Sequence, residues 1–386
     1  MTARNIRILP SLPSAHDAVS ALRKPLLQYG RALIVTLLCL GAQIGSAQDD
    51  YRLLTVADNL RWPWSIARLP DNSFLITERE GRLIHLDKNA NRHVLQGTPA
   101  TVFAGQGGYF DVVLHPKFAK NRLIYLSYAE GVENANGTAV FRAKFEDGRL
   151  SEGQRILRVE PNKTTPQHYG ARMLFLEDET LLLTTGDGFE HREQAQNLSS
   201  ELGKVLRIND DGSPAGLLDA EGEPSRIWTM GHRNPQGLAV DPGTGSIYLH
   251  EHGPRGGDEL NLIEGGANYG WPAVTHGVDY SGAYVSPFKS APGFKDPLWT
   301  WVPSIAPSGM AWYAGNNFPA WHGSLFIGAL VDQEVRRLEM RKGKVVREEA
   351  LFGELDSRIR DIRVFGDDIY LLTDSEQGAL IQVVSP

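Results

Sequence analysis

Beyond residue 50 the chain alternates apolar and polar positions in short runs, each followed by a turn. WSIARLPDNSFLITEREGRLIHLD (64–87) reads strand, turn, strand, turn, strand. The apolar period is two within each run, with Asp, Asn, Gly and Pro where the chain must reverse. The same grammar recurs in FDVVLHPKFAKNRLIYLSYAE (110–130), followed by TAVFRAKFEDGRL, and in ARMLFLEDETLLLTTGDG (171–188), closed by GKVLRINDDG. A fourth copy is QGLAVDPGTGSIYLHEHG (236–253), followed by DELNLIEGG; a fifth is SGMAWY (308–313) with GSLFIGALVDQEVRRLEM; a sixth is RDIRVFGDDIYLLTDSEQGALIQVV (360–384).

Each copy supplies about three short strands and the intervening segment a fourth. One such unit cannot bury both faces alone, whereas six arranged radially can. The pattern predicts an all-β protein, a six-bladed β-propeller with four-stranded antiparallel blades over residues 51–386. The early strand YRLLTV (51–56) would complete the last blade and close the ring. A pair of β-sandwiches is the alternative, and six similarly punctuated copies weigh against it. Segments 148–170 and 267–307 read as the longest inter-blade loops, a length that often accompanies function.

The N-terminus departs from this grammar. Arg23, Lys24 and Arg31 precede the apolar run ALIVTLLCLGA (32–42), and GSA (45–47) follows. Basic, apolar and small segments in that order predict a secretory signal over residues 1–47, cleaved near Ala47, and hence a periplasmic or secreted protein. The apolar run is too short for a comfortable membrane span, so no stable membrane insertion is expected. Cys39, the only cysteine, lies inside it. The exported chain would then have no disulfide, thiolate nucleophile or cysteine metal site.

Composition narrows the class further. Apolar residues make up 41% and charged residues 22%, an ordinary globular balance. A formal net charge of -7 argues against a general nucleic-acid binder.

The candidate chemistry is concentrated at strand ends. GHRNPQG (231–237) places His232, Arg233, Asn234 and Gln236 just before an apolar run. Arg233 can grip a carboxylate bidentately while its neighbours fix orientation; a turn that satisfies its own backbone is the rival explanation. Downstream, EHGPRGGDELNLIEGGANYGWP (251–272) is acidic and glycine-dense but out of register for an EF-hand. Its Gly253-Pro254 turn can aim carbonyls at a calcium ion, with Asp258 and Glu259 as nearby oxygen ligands.

Taken in order, GQGGYFDVVLHP (105–116), HYGARMLF (168–175), TTGDG with GKVLRIN (184–188, 203–209), GHRNPQG and EHGPRGGDELNLI…NYGWP resemble the soluble aldose sugar dehydrogenases of the glucose/sorbosone dehydrogenase family. The likeness runs through nearly all of residues 51–384. It implies a six-bladed propeller that uses pyrroloquinoline quinone (PQQ) and calcium to oxidise aldoses at C1 to lactones. By the same resemblance His168 is the general base, and Gln106, Arg233, Asn234, Tyr280, Arg358 and Arg360 contact the cofactor. Gly253 and Pro254 offer carbonyls to the calcium that polarises the quinone, and Glu259 with the backbone of Tyr269 resembles a second, structural calcium site. The implied partners are a small aldose and a separate electron acceptor, a quinone or redox protein. A monomer or homodimer is expected, with no nucleic acid.

A free imidazole titrates near about 6.5, so a histidine suits proton abstraction near neutrality. Asp187 in TTGDG reads as a turn stabiliser, and His115 and His252 as packing or loop residues. Several positions depart from the family pattern: Gln167, where relatives can carry an acid beside the base; Val331, where relatives often carry lysine; and Tyr109 and Phe110, where leucines are usual. A calcium-dependent propeller lactonase and a non-catalytic, exported ligand-binding propeller remain the alternatives.

Overall fold

The computed structural model describes residues 51–386; the expected signal segment lies outside them. The chain forms six four-stranded antiparallel sheets, and almost no helix. Blade one spans 63–94, blade two 109–158, blade three 170–230, blade four 235–301 and blade five 307–351. Blade six takes three strands from 359–384 and its outermost strand from Arg52–Leu60, which pairs with Gly378–Val384. The early strand closes the ring, as the pattern predicts.

In each blade the first strand lies innermost, and these six inner strands pack against one another in a closed circle. Adjacent blades share one apolar core at each junction. Between blades two and three, for example, Tyr125, Val140 and Leu157 meet Met173, Leu183 and Leu206. Each such side chain contributes roughly 1.5–3 kcal/mol when fully buried. The sheets therefore have apolar residues on both faces, unlike a sheet with one wet side.

The expected loop 148–170 is corrected by the structure. Arg149–Arg158 is the fourth strand of blade two. As an outermost strand it is mostly exposed, so RLSEGQRILR lacks the apolar alternation that identifies a half-buried strand. Segment 267–307 is mainly irregular, with one short strand at Trp299–Trp301.

Two features shape the axis. Every inner strand has a register shift near its first residues, at Pro63/Ser65, Tyr109/Val112, Gly170/Met173, Pro235/Gly237, Pro307/Met310 and Ile359/Asp361. Bulges twist a strand and re-aim its side chains, and here six of them ring one mouth of the propeller. Deeper, a buried ionic hub joins the blades. Asp111 accepts from Ser65 Oγ (2.6 Å), Met173 N (2.9 Å) and Arg363 Nη2 (2.5 Å), and Arg172 Nη1 lies 3.2 Å from Asp361. Arg172 Nε donates to the Gln236 carbonyl. Blades one, two, three, four and six are thereby tied at one point.

Candidate active site

At the bulged mouth the inner strands surround an axial cavity of ≈ 600 Å³. Trp62, Trp64, Phe110 and Tyr169 form its aromatic wall. Arg79, Gln106, Asn234, Arg358, Arg360 and Asp374 supply most of its polar atoms. The Arg172 guanidinium lies 4.2 Å from the Trp64 ring centroid, so the ionic hub supports this wall from beneath.

His168 precedes two wall residues, Tyr169 and Gly170, and adopts φ 49°, a left-handed conformation uncommon outside glycine. Three contacts hold it there. Its backbone N–H donates to Gln106 Oε1 at 2.8 Å. Gly186 packs so closely that a Cβ there would stand 2.1 Å from the His168 carbonyl. Its Nδ1 lies 2.6 Å from Asp187 Oδ1.

Asp187 is held in turn by Phe189 N (2.7 Å) and by Trp271 Nε1 (2.8 Å, to Oδ2). Burial alone would raise its pKa, but the His168 contact and the Arg233 charge bring it below the ordinary carboxylate range. Burial lowers the pKa of His168 despite that carboxylate. The pair therefore rests as a carboxylate and a neutral imidazole. The proton sits on Nδ1 and the Nε2 lone pair is left to accept another.

Asp187 thus does more than stabilise a turn, correcting the sequence reading. It orients His168 from 19 positions away, a role that an acid beside the base can fill in relatives and that Gln167 cannot fill here as an anion. Chain proximity carried no such signal; TTGDG gains its meaning only once its turn folds back on the left-handed histidine.

GHRNPQG forms the neighbouring corner. His232 is fully buried between Thr229 Oγ1 and Glu251 Oε1, each at 2.8 Å, and stacks on Tyr269. The Arg233 backbone N–H donates to Glu251 Oε2, and its side chain reaches the Gly253 carbonyl at 2.6 Å. The Arg233 guanidinium also lies over Trp271 and Tyr280, while its buried Nε has no hydrogen-bond partner. Asn234 Oδ1 accepts from Gly170 N and Gln236 Nε2, both at 3.2 Å, bracing the wall beside His168. Tyr280 is exposed at the rim next to Phe189 and does not line the axial cavity.

Opposite, Arg358 and Arg360 share one oxygen of Asp374 at 3.1 and 2.9 Å. Their charges hold the Asp374 carboxyl below its ordinary range against the raising effect of burial. Val331 lines this wall without a charge. His252, read from sequence as a loop residue, also lines the cavity, and its Nε2 lies 2.6 Å from the Pro307 carbonyl. His115 packs between Tyr125 and Phe175, as expected.

The calcium donors fall into two places. The Gly253 carbonyl is engaged by Arg233, and Asp258 is occupied by Gly253 N, Ser304 Oγ, Ile305 N and Ala306 N. Among the described residues no group of three or more His, Cys, Asp or Glu side chains is arranged to hold a metal. A cation at Gly253 and Pro254 would have to share the Gly253 oxygen with a guanidinium. Glu259 is different. It stands opposite Glu251 across two strands and, with Tyr269 and Gly253, lines a small cavity of ≈ 10 Å³. Among the described residues its carboxylate has one hydrogen bond, a long one of 3.4 Å from Asn261, and no ion-pair partner. Glu251 is already engaged by His232 and by the Arg233 N–H, so Glu259 is the carboxylate left to receive a small hard ion in this cavity, which Arg233 also lines.

A six-bladed propeller with an arginine-rich axial cavity and a buried His–Asp pair defines a class of ligand-binding or redox propellers. The profile of the Glucose / Sorbosone dehydrogenase family matches residues 60–382, and the chain belongs to that family. It is 37% identical over 361 residues to the aldose sugar dehydrogenase YliI of Escherichia coli, covering 91% of this chain and 97% of that protein. It is 29% identical to the quinoprotein glucose dehydrogenase B of Acinetobacter calcoaceticus over 63% of this chain and 57% of the other. The apo crystal structure of the E. coli enzyme superposes with a TM-score of 0.83, at 37% identity, over 87% of this chain and all of that one.

Proposed function

We propose that the protein is a PQQ-dependent aldose dehydrogenase that oxidises the sugar C1 hydroxyl to a lactone, with His168 as general base. One observation carries this reading: a neutral His168, oriented by an ionised Asp187, directly precedes Tyr169 and Gly170 in the wall of a cavity rich in arginines. The cavity suits a flat aromatic polyanion. Its tryptophan and tyrosine walls provide apolar faces, and the buried Nε atoms of Arg79 and Arg360 in its lining have no partner. Buried donors are rarely left unpaired in a resting protein, so a ligand bearing carboxylates completes them. Arg358, Arg360 and Arg233 would hold such a cofactor, with Gln106 and Asn234 orienting its polar edge.

When bound, PQQ supplies the two-electron oxidant that accepts the hydride leaving C1. The protein aligns the sugar and removes the proton. As the C1–H bond breaks, the hydroxyl proton passes to His168 Nε2, and the imidazolium that forms is stabilised by Asp187 at Nδ1. Trp271 and Phe189 keep the carboxylate from turning away. A separate acceptor then reoxidises the enzyme. We assign a cation to Glu259 and Tyr269 as a structural element, and no chemical step depends on it.

The hydrolase alternative needs axial carboxylates free to carry a metal, whereas Asp374 is committed to Arg358 and Arg360. Apoprotein supplied with PQQ and calcium should reduce a dye when aldoses are added. His168→Ala should keep PQQ and lose turnover. A protein that contains PQQ yet turns over none of a broad aldose panel would refute the activity.

A further inference from the structure

The sequence reading passed over Arg79, which directly follows the second strand of blade one, Phe74–Glu78, and lines the cavity. Its main chain is fixed: the Arg79 carbonyl accepts from Tyr109 N, and a Cβ on Gly108 would come within 2.1 Å of that oxygen. Its side chain is fixed as well. Nη2 donates to the Gly105 carbonyl at 2.6 Å and the Gly107 carbonyl at 3.1 Å, on either side of Gln106. Among the described residues the guanidinium has no salt bridge to a carboxylate, and its Nε is buried without a partner.

This is a costly way to place a cation. Burial and the like charge of Arg360 both weaken its hold on its proton, with Asp374 opposing only in part. Three guanidiniums, Arg79, Arg358 and Arg360, line a cavity whose only lining carboxylate is Asp374, already shared by two of them. Such an excess of positive charge persists where an anion is to be bound. The two glycine carbonyls set the direction of the fork before any ligand arrives, so little orientational freedom remains to be lost.

Resting on the PQQ reading above, we infer that Arg79 is a further cofactor-binding residue, supplying the blade-one wall with a preoriented cation for a carboxylate of PQQ. It also connects the cofactor to the base. Arg79 holds the loop 105–107, Gln106 in that loop accepts the His168 N–H, and His168 keeps its left-handed turn through that bond. Arg79 is a binding residue toward the cofactor and a positioning residue toward His168.

The test is titration of apoprotein with PQQ, followed by tryptophan fluorescence, in wild type, Arg79→Gln and Arg79→Lys. Arg79→Gln should bind PQQ about 10- to 100-fold more weakly, the effect of removing one charge-assisted hydrogen-bonding partner. PQQ trimethyl ester, which lacks the carboxylates, should distinguish wild type from Arg79→Gln by less than about twofold. Raising salt from about 50 to about 500 mM should weaken PQQ binding less in Arg79→Gln than in wild type, and Arg79→Lys should restore part of that sensitivity. A wild type that fails to bind PQQ overturns the functional reading itself. A wild type that binds PQQ, beside an Arg79→Gln within about twofold of it, overturns only the role of Arg79. Equal losses on PQQ and its ester, or unchanged salt dependence, reduce Arg79 to a support for the 105–107 loop and likewise overturn the inference.

Discussion

Replacing Asp187 by Asn tests the proposed base most directly, because the carboxylate accepts three N–H groups and an amide has only one oxygen. His168 and Phe189 share Oδ1, and Trp271 takes Oδ2. If the amide nitrogen replaces Oδ1, it opposes two donors; if it replaces Oδ2, it opposes only the Trp271 indole. The second orientation is the cheaper, so His168 keeps its tautomer and loses mainly its charged partner. Unit charges about 4 Å apart at an effective dielectric near 20 attract by about 4 kcal/mol. Losing that support for the nascent imidazolium lowers kcat by roughly a thousandfold, inside the range of about 10²–10⁴ that a general base contributes. The unpaired Trp271 N–H should in addition cost about 1–3 kcal/mol of stability. Steady-state dye reduction at saturating aldose, paired with PQQ titration, separates the two effects. A kcat within about tenfold of wild type, at unchanged PQQ affinity, would show that Asp187 does not support a base at His168.

Further expectations follow from the same geometry. Burial places the His168 pKa below its ordinary 6.5, and the base is lost as pH falls through that lowered value. The acid limb of the kcat/KM profile should therefore lie below pH 6.5 and move lower still in Asp187→Asn; a limb above 6.5 contradicts the assignment. Calcium should raise the melting temperature of wild type but not of Glu259→Ala, read by differential scanning calorimetry; an equal rise in both removes Glu259 from the cation site. Arg172→Met leaves Asp111 and Asp361 short of a buried counter-charge, so it should lose about 3–5 kcal/mol of stability in urea unfolding. A loss below about 1 kcal/mol would mean that the hub relaxes around the missing guanidinium.

The sequence showed the ring clearly because each blade repeats a period-two apolar pattern with a turn at its end. The family resemblance grouped Gln106, Arg233, Asn234, Tyr280, Arg358 and Arg360; Gln106, Asn234, Arg358 and Arg360 line the axial cavity, while Arg233 and Tyr280 lie beside it. What the sequence hid was geometry created by folding. Asp187 and Arg79 both read as turn residues until folding sets Asp187 against the left-handed His168 and Arg79 against the 105–107 loop. Arg172 reads as a polar residue in a strand, and only the closed ring reveals the buried axis it occupies. Arg149–Arg158 was misread for the opposite reason: an outer strand with little to bury looks like a loop.

The ring's closure carries one more consequence. Arg52 pairs with Val384, so the two ends of the described chain meet in one strand pair. During synthesis the first strand emerges long before its partner exists, and the nascent chain can form blades but only an open arc. Commitment to the native state therefore waits until Gly378–Val384 has emerged, and its rate is governed by a contact that spans all six blades. Until then Arg52–Leu60 presents an unpaired edge, the kind of surface that quality-control factors recognise in an unfinished β-protein.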